Sequence, residues 1–76
     1  MVTFTRRHYE TIGTMLRQMT ESDDGLTRTM GEDWLIYWDK MFQNDNPRYQ
    51  REKFFTYVLD ENKYYTKENI NALAMR

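Results

Sequence analysis

Tyr9, Ile12, Leu16 and Met19 recur at intervals of three, four and three residues. That spacing stacks four large side chains on one side of a helix and does not fit the two-residue alternation of a half-buried strand. Thr5 stands where an N-cap is needed, and Phe4 before it is placed to staple against Tyr9. A first helix is therefore expected over about residues 6–20. The same opening returns near the other end, where Tyr65-Thr66 precedes Lys67 as Phe4-Thr5 precedes Arg6. With Thr66 as cap and Tyr65 stapled to Ile70, a short helix carrying Ile70 and Leu73 is expected over about residues 67–75.

Between these ends, ESDDGLTRT at positions 21–29 carries the polar and glycine signals of a loop. A second helix is expected over about residues 30–44. Its inner stripe reads Met30, Trp34, Trp38, Met41 and Phe42, with Leu35 and Tyr37 at the flanks, an arc of about 160° at 100° per residue. Ile36 falls on the opposite, polar side with Glu32, Lys40 and Gln43. Pro47 then stops the helix and pushes Asn46 out of helical geometry. A third helix, over about residues 50–60, offers Phe54 and Val58 inward with Phe55 and Leu59 beside them. The pattern predicts one all-α domain, a small three-helix bundle with a short fourth C-terminal helix.

A chain of 76 residues with no cysteine must stabilise itself through one small core, without disulfides or thiolate metal sites. It carries two Trp, six Tyr, four Phe and six Met, more large apolar side chains than a bundle this short is expected to enclose. Surplus apolar surface marks an interface with another protein or a second copy. Tyrosine suits such a surface, so Ile36, Tyr37, Tyr49, Tyr57, Tyr64 and Tyr65 are the candidate protein-interface residues.

Net charge is −1, without the positive excess that phosphate binding favours. Nucleic acid is thus the lesser alternative, and its candidate contacts are Arg6, Arg7, Arg48, Arg51 and Lys53, with Tyr49 stacking on a base. Arg6 and Arg17 stand four residues before Glu10 and Glu21, close enough to pair locally. Arg51 shares a helix side with Phe54 and Val58, which makes it a tether from the third helix to Asp45 or to the last carbonyls of the second.

Catalysis and cofactors find little support. His8 is the single histidine and has no carboxylate at metal-ligand spacing. No nucleophile stands with a base and an orienting acid. Glu21-Ser22-Asp23-Asp24 lacks the spacing of a calcium loop, and Gly13, Gly25 and Gly31 are isolated rather than gathered into a phosphate cradle. No apolar run follows Arg6-Arg7 as a signal peptide requires, and none has the length of a membrane span.

Two blocks carry a likeness to known sequences. One is Phe4-Thr5-Arg6-Arg7-His8-Tyr9 followed by Ile12 and Leu16. The other is Phe42-Gln43-Asn44-Asp45-Asn46-Pro47-Arg48-Tyr49 followed by Arg51 and Phe54. Together they resemble a widespread group of small, uncharacterised bacteriophage proteins with a basic-His-aromatic first helix and an acidic-Asn-Pro turn leading into an Arg- and Phe-bearing helix. The resemblance covers about residues 4–59. Gln50 departs from it, standing where the group usually has Asp. The group has no established activity, so the resemblance implies a source rather than a mechanism. Joined to the surplus apolar side chains and the missing catalytic grouping, that source leads to the expectation of a non-enzymatic phage interaction protein in the cytoplasm of the infected host, binding a protein partner or itself and modulating or inhibiting a host or phage protein.

Overall fold

The computed structural model describes residues 2–76. It contains helices α1 (Arg6–Thr20), α2 (Gly25–Asp45), α3 (Arg51–Leu59) and α4 (Lys67–Ala74), and no strand among the described residues. The chain is all-α, with a short fourth helix as its sequence pattern implied.

The helix ends follow from local hydrogen bonding. Thr5 is extended at the N-cap of α1, and its backbone N–H donates to Nδ1 of His8 at 3.0 Å. A histidine here fills the place that glutamate or glutamine takes in the usual capping box. The single histidine is therefore a cap acceptor through Nδ1. Thr66 and Asn69 close the reciprocal box at the start of α4, with Asn69 N–H donating to the Thr66 hydroxyl at 3.2 Å and Thr66 N–H to Asn69 Oδ1 at 3.1 Å. Gln50 occupies the N-cap of α3 without a side-chain cap bond. Asn46 is extended before Pro47, and its Oδ1 accepts the backbone N–H of Arg48 at 2.9 Å, which makes the corner between α2 and α3.

α2 begins five residues before the expected start. Asp24 is its N-cap, accepting the backbone N–H and the hydroxyl of Thr27 at 3.1 and 2.6 Å. Gly25 adopts no positive φ and enters the first turn as an ordinary helical residue. The residues expected as loop up to Thr29 are thus mostly helical, because an aspartate cap outweighs a single glycine.

The inward side of α2 overlaps the expected one only in part: Phe42 and Leu35 are buried and Trp38 packs against the core, as expected. Gly31, Leu35, Asp39 and Phe42 are its buried residues. Met30, Trp34 and Met41, expected inside, are exposed, while Ile36, expected outside, packs against the core. The helix is turned by somewhat less than one residue position, roughly 80°. Gly31 accounts for this. A Cβ there would sit 2.9 Å from Cβ of Met19 and 3.0 Å from Cγ2 of Thr20, so α1 and α2 approach too closely for any other residue without a shift. The close contact at Gly31 favours this side of α2 against α1.

The core holds Leu16, Leu35, Phe42, Phe54, Phe55, Val58, Leu59 and Leu73. Phe42 is its aromatic centre. The rings of Phe4, Tyr9, Trp38, Tyr49 and Phe54 lie 4.5 to 5.7 Å from it, centroid to centroid, a range in which each favourable pair adds about 0.5–1.5 kcal/mol beyond burial. Arg17 caps the end of α3 by donating to the carbonyls of Tyr57 and Asp60 at 2.9 and 3.0 Å. Buried Asn62 then donates to the carbonyl of Thr20 at 3.0 Å, fastening the turn after α3 to the end of α1.

Candidate interaction surfaces

Three places gather the side chains that bear on function. The first is the α2–α3 corner. Asp39 is 1% exposed and accepts from three donors, Arg51 Nε at 3.0 Å, the Tyr49 hydroxyl at 2.9 Å and Gln43 Nε2 at 2.9 Å. Arg51 Nη2 lies 2.9 Å from the same carboxylate and completes the ion pair. A buried carboxylate is tolerated only when its lone pairs are filled, and here they are. Burial, and then the bond to Asp39, push the Tyr49 hydroxyl well above its ordinary range. Arg51 also donates through Nη2 to the carbonyl of Ala74 at the end of α4.

Arg51 is thus a tether, as its position on α3 suggested, but its partners are Asp39 and Ala74. Asp45, one of the expected partners, instead accepts the backbone N–H groups of Thr3 and Phe4 at 2.8 and 3.0 Å. Those bonds, led by that from Phe4, hold its carboxyl below the usual range.

The second place is a cleft of about 340 Å³ between α1 and the start of α3. Tyr9, Tyr49, Phe54 and Tyr57 supply its aromatic walls, and Arg6, Arg48 and Lys53 its cations. Arg6 is paired with Glu10 at 3.0 Å; Arg48 and Lys53 form no ion pair among the described residues. Three of the five candidate nucleic-acid contacts therefore meet in one cleft. Arg51 is committed to the corner, and Arg7 does not line the cleft.

Of the third place only Tyr37 was expected at an interface. Leu26, Met30, Trp34, Tyr37 and Met41 follow one another at intervals of four, four, three and four along α2, and each is between 36% and 71% exposed. At 1.5 Å per residue this apolar stripe is about 22 Å long, on a molecule whose longest extent is 38 Å. Gly31, spaced four residues from Leu35 as Leu35 is from Asp39, was the available clue, since a small residue in register with a leucine marks the side that meets another helix.

The six residues named from sequence as interface candidates divide accordingly. Tyr37 belongs to the exposed stripe. Tyr57 is exposed over the cleft, its hydroxyl 2.9 Å from that of Thr14. Ile36, Tyr49 and Tyr65 are partly buried against the core. Tyr65 donates to Glu32 at 2.6 Å, and burial together with that bond raises its hydroxyl above the ordinary range. Tyr64 donates to Asp23 and lies under the guanidinium of Arg28, 4.0 Å from the ring centroid. Three tyrosine hydroxyls thus serve the fold through carboxylates.

Four further polar groups singled out from the sequence have structural partners. Arg17 pairs with Glu21 at 3.3 Å, Asp23 with Lys63 at 3.0 Å, and Asp24 caps α2. No three potential metal-ligating side chains come together among the described residues. Nor is any described helix long and apolar enough to cross a membrane. No family model, curated protein or solved structure compared with the chain matches it.

Proposed function

We propose that this chain is a small protein-interaction module, made by a bacteriophage and acting in the cytoplasm of the infected cell, where it modulates or inhibits a host or phage protein. The observation that carries the interaction reading is the outer stripe of α2. Five large apolar side chains stay in water after folding while the same helix buries an aspartate. Contiguous exposed apolar surface on a small monomer is a common mark of a protein-binding face, and aromatic and methionine side chains are those enriched at the centre of such faces. The phage source is supported by the two sequence blocks alone.

A second reading has its own observation. The cleft that gathers Arg6, Arg48 and Lys53 beside Tyr49 and Tyr57 has the form of a single-strand site, cations along a backbone path with rings for stacking. Glu10 neutralises one of the three cations, and the whole chain is slightly acidic. These facts favour the stripe.

One comparison separates the readings. The wild-type chain and Trp34→Lys are each immobilised and exposed to host extract, and each is tested for retention of single-stranded DNA at low and raised salt. The interaction reading expects a stoichiometric protein band that Trp34→Lys loses, and weak DNA retention in both chains. Tight, steeply salt-dependent DNA binding that Trp34→Lys keeps and Lys53→Glu loses would overturn it in favour of the cleft.

A further inference from the structure

We infer that the occupant of the α2 stripe is a second copy of this chain, paired antiparallel about a twofold axis. This rests on the reading of the stripe as a protein-binding face and names what covers it. Met30, Trp34, Tyr37 and Met41 stand at intervals of four, three and four, the spacing of a coiled-coil seam. Laid antiparallel on itself, that seam closes in register. Trp34 of one copy meets Tyr37 of the other, Met30 meets Met41, and twofold symmetry repeats each contact.

The flanks of the seam agree with this register. On one flank lie Gly31, closed over by Met19 and Thr20 of α1, and Trp38, packed edge-on against Phe4. On the other lie Asp33 and Lys40, seven residues apart, both exposed and neither in an ion pair among the described residues. In the antiparallel register Asp33 of each copy comes beside Lys40 of the other, giving two opposite-charge pairs around an aromatic and methionine centre. A parallel pairing sets Asp33 beside Trp38 instead. The same four-residue segment, Trp34 to Tyr37, thus sits on the axis with complementary charge on either side of it. An interface of one helix per copy is small, so association is expected to be reversible.

The test is the solution mass, by sedimentation equilibrium from about micromolar to millimolar protein, of the wild type, Trp34→Lys, Asp33→Lys, Lys40→Asp, and an equimolar mixture of the two charge variants. Circular dichroism checks that each variant keeps its helix content. The expected result is a monomer–dimer equilibrium that Trp34→Lys abolishes. Each charge variant alone should weaken it about tenfold through two like-charge contacts, and the mixture, in which both pairs are opposite again, should restore it. A monomeric mass throughout, assembly beyond a dimer, association that survives Trp34→Lys, or charge variants that fail to rescue each other would overturn the proposal. A monomer that still captures a host protein in a Trp34-dependent way would remove the second copy and leave the interaction module standing. Loss of both would remove the reading itself.

Discussion

Asp39 and Trp34 lie five residues apart on α2 and have exchanged the environments that their chemistry favours. The carboxylate is sealed beneath Arg51, Tyr49 and Gln43, while the indole is almost half exposed. The inward side is held by directional bonds that also tie α3 and the end of α4 to α2. The outward side makes few demands on the fold. The comparison teaches that the two sides of one helix do different work: one holds the bundle together and the other is free to be covered. Substitutions on the two sides should therefore separate stability from binding.

The largest effect is expected at the corner. Arg51→Ala leaves the Asp39 carboxylate buried with two neutral donors and releases the Ala74 carbonyl. Breaking a buried pair costs about 3–5 kcal/mol, and the partial exposure of Arg51 places this one near the lower end. A loss of about 3 kcal/mol lowers Tm by on the order of 15 °C in a domain of this size. Asp39→Asn, which leaves the more exposed partner unpaired, should cost less. Equal or reversed losses in thermal melts would show that the carboxylate is not the group most in need of its partner.

Gly31→Ala comes next. Alanine improves helix propensity by about 1 kcal/mol, yet its Cβ would meet Cβ of Met19 at 2.9 Å, and overpacking costs about 1–3 kcal/mol. Urea unfolding should show a net loss. A gain would mean that α1 can back away, and that Gly31 does not set which side of α2 faces inward.

A smaller effect is expected in acid. The carboxyl of Asp24 is held below its ordinary value of 3.8 by the Thr27 hydroxyl and then by the Thr27 backbone N–H, and that of Asp45 by the N–H groups of Phe4 and Thr3. A carboxyl lowered on folding contributes stability that is fully present above the unfolded value and is lost as pH falls through the folded one. Backbone amide signals of residues 3–5 and of the first turn of α2 should therefore shift as pH drops below about 4, and not between pH 5 and 8 on account of these two groups. Movement only in the neutral range would assign the two contacts to something else.

Trp34→Lys is expected to have the smallest effect on stability, within about 0.5 kcal/mol, as for a surface substitution. A loss comparable to that of Arg51→Ala would erase the contrast between the two sides.

The comparison also marks what the sequence could tell. Thr5, Thr66 and the Asn46-Pro47 corner were legible because caps and turns are decided within a few residues. Asp24 was equally local and was overlooked beside Gly25. The orientation of α2 was not legible from hydropathy. It depends on how closely Gly31 lets α1 approach, and on a carboxylate whose partner stands twelve residues away on another helix. Arg51 was readable as a tether, but Asp39 lay among residues that resembled an outward polar side. The tyrosines were hardest to sort, since nothing local distinguishes Tyr37, which stays exposed, from Tyr49 and Tyr65, whose hydroxyls are bound to carboxylates.

The most direct test of the stripe as a binding face follows one ring. In a Trp38→Phe chain Trp34 is the single tryptophan, and its fluorescence maximum is recorded while protein concentration is raised, or host extract protein captured by the chain is added. Burial of the indole is expected to move the maximum to shorter wavelength as the complex forms. Complex formation with the Trp34 emission unmoved would contradict the account, because the ring at the centre of the stripe would still be in water.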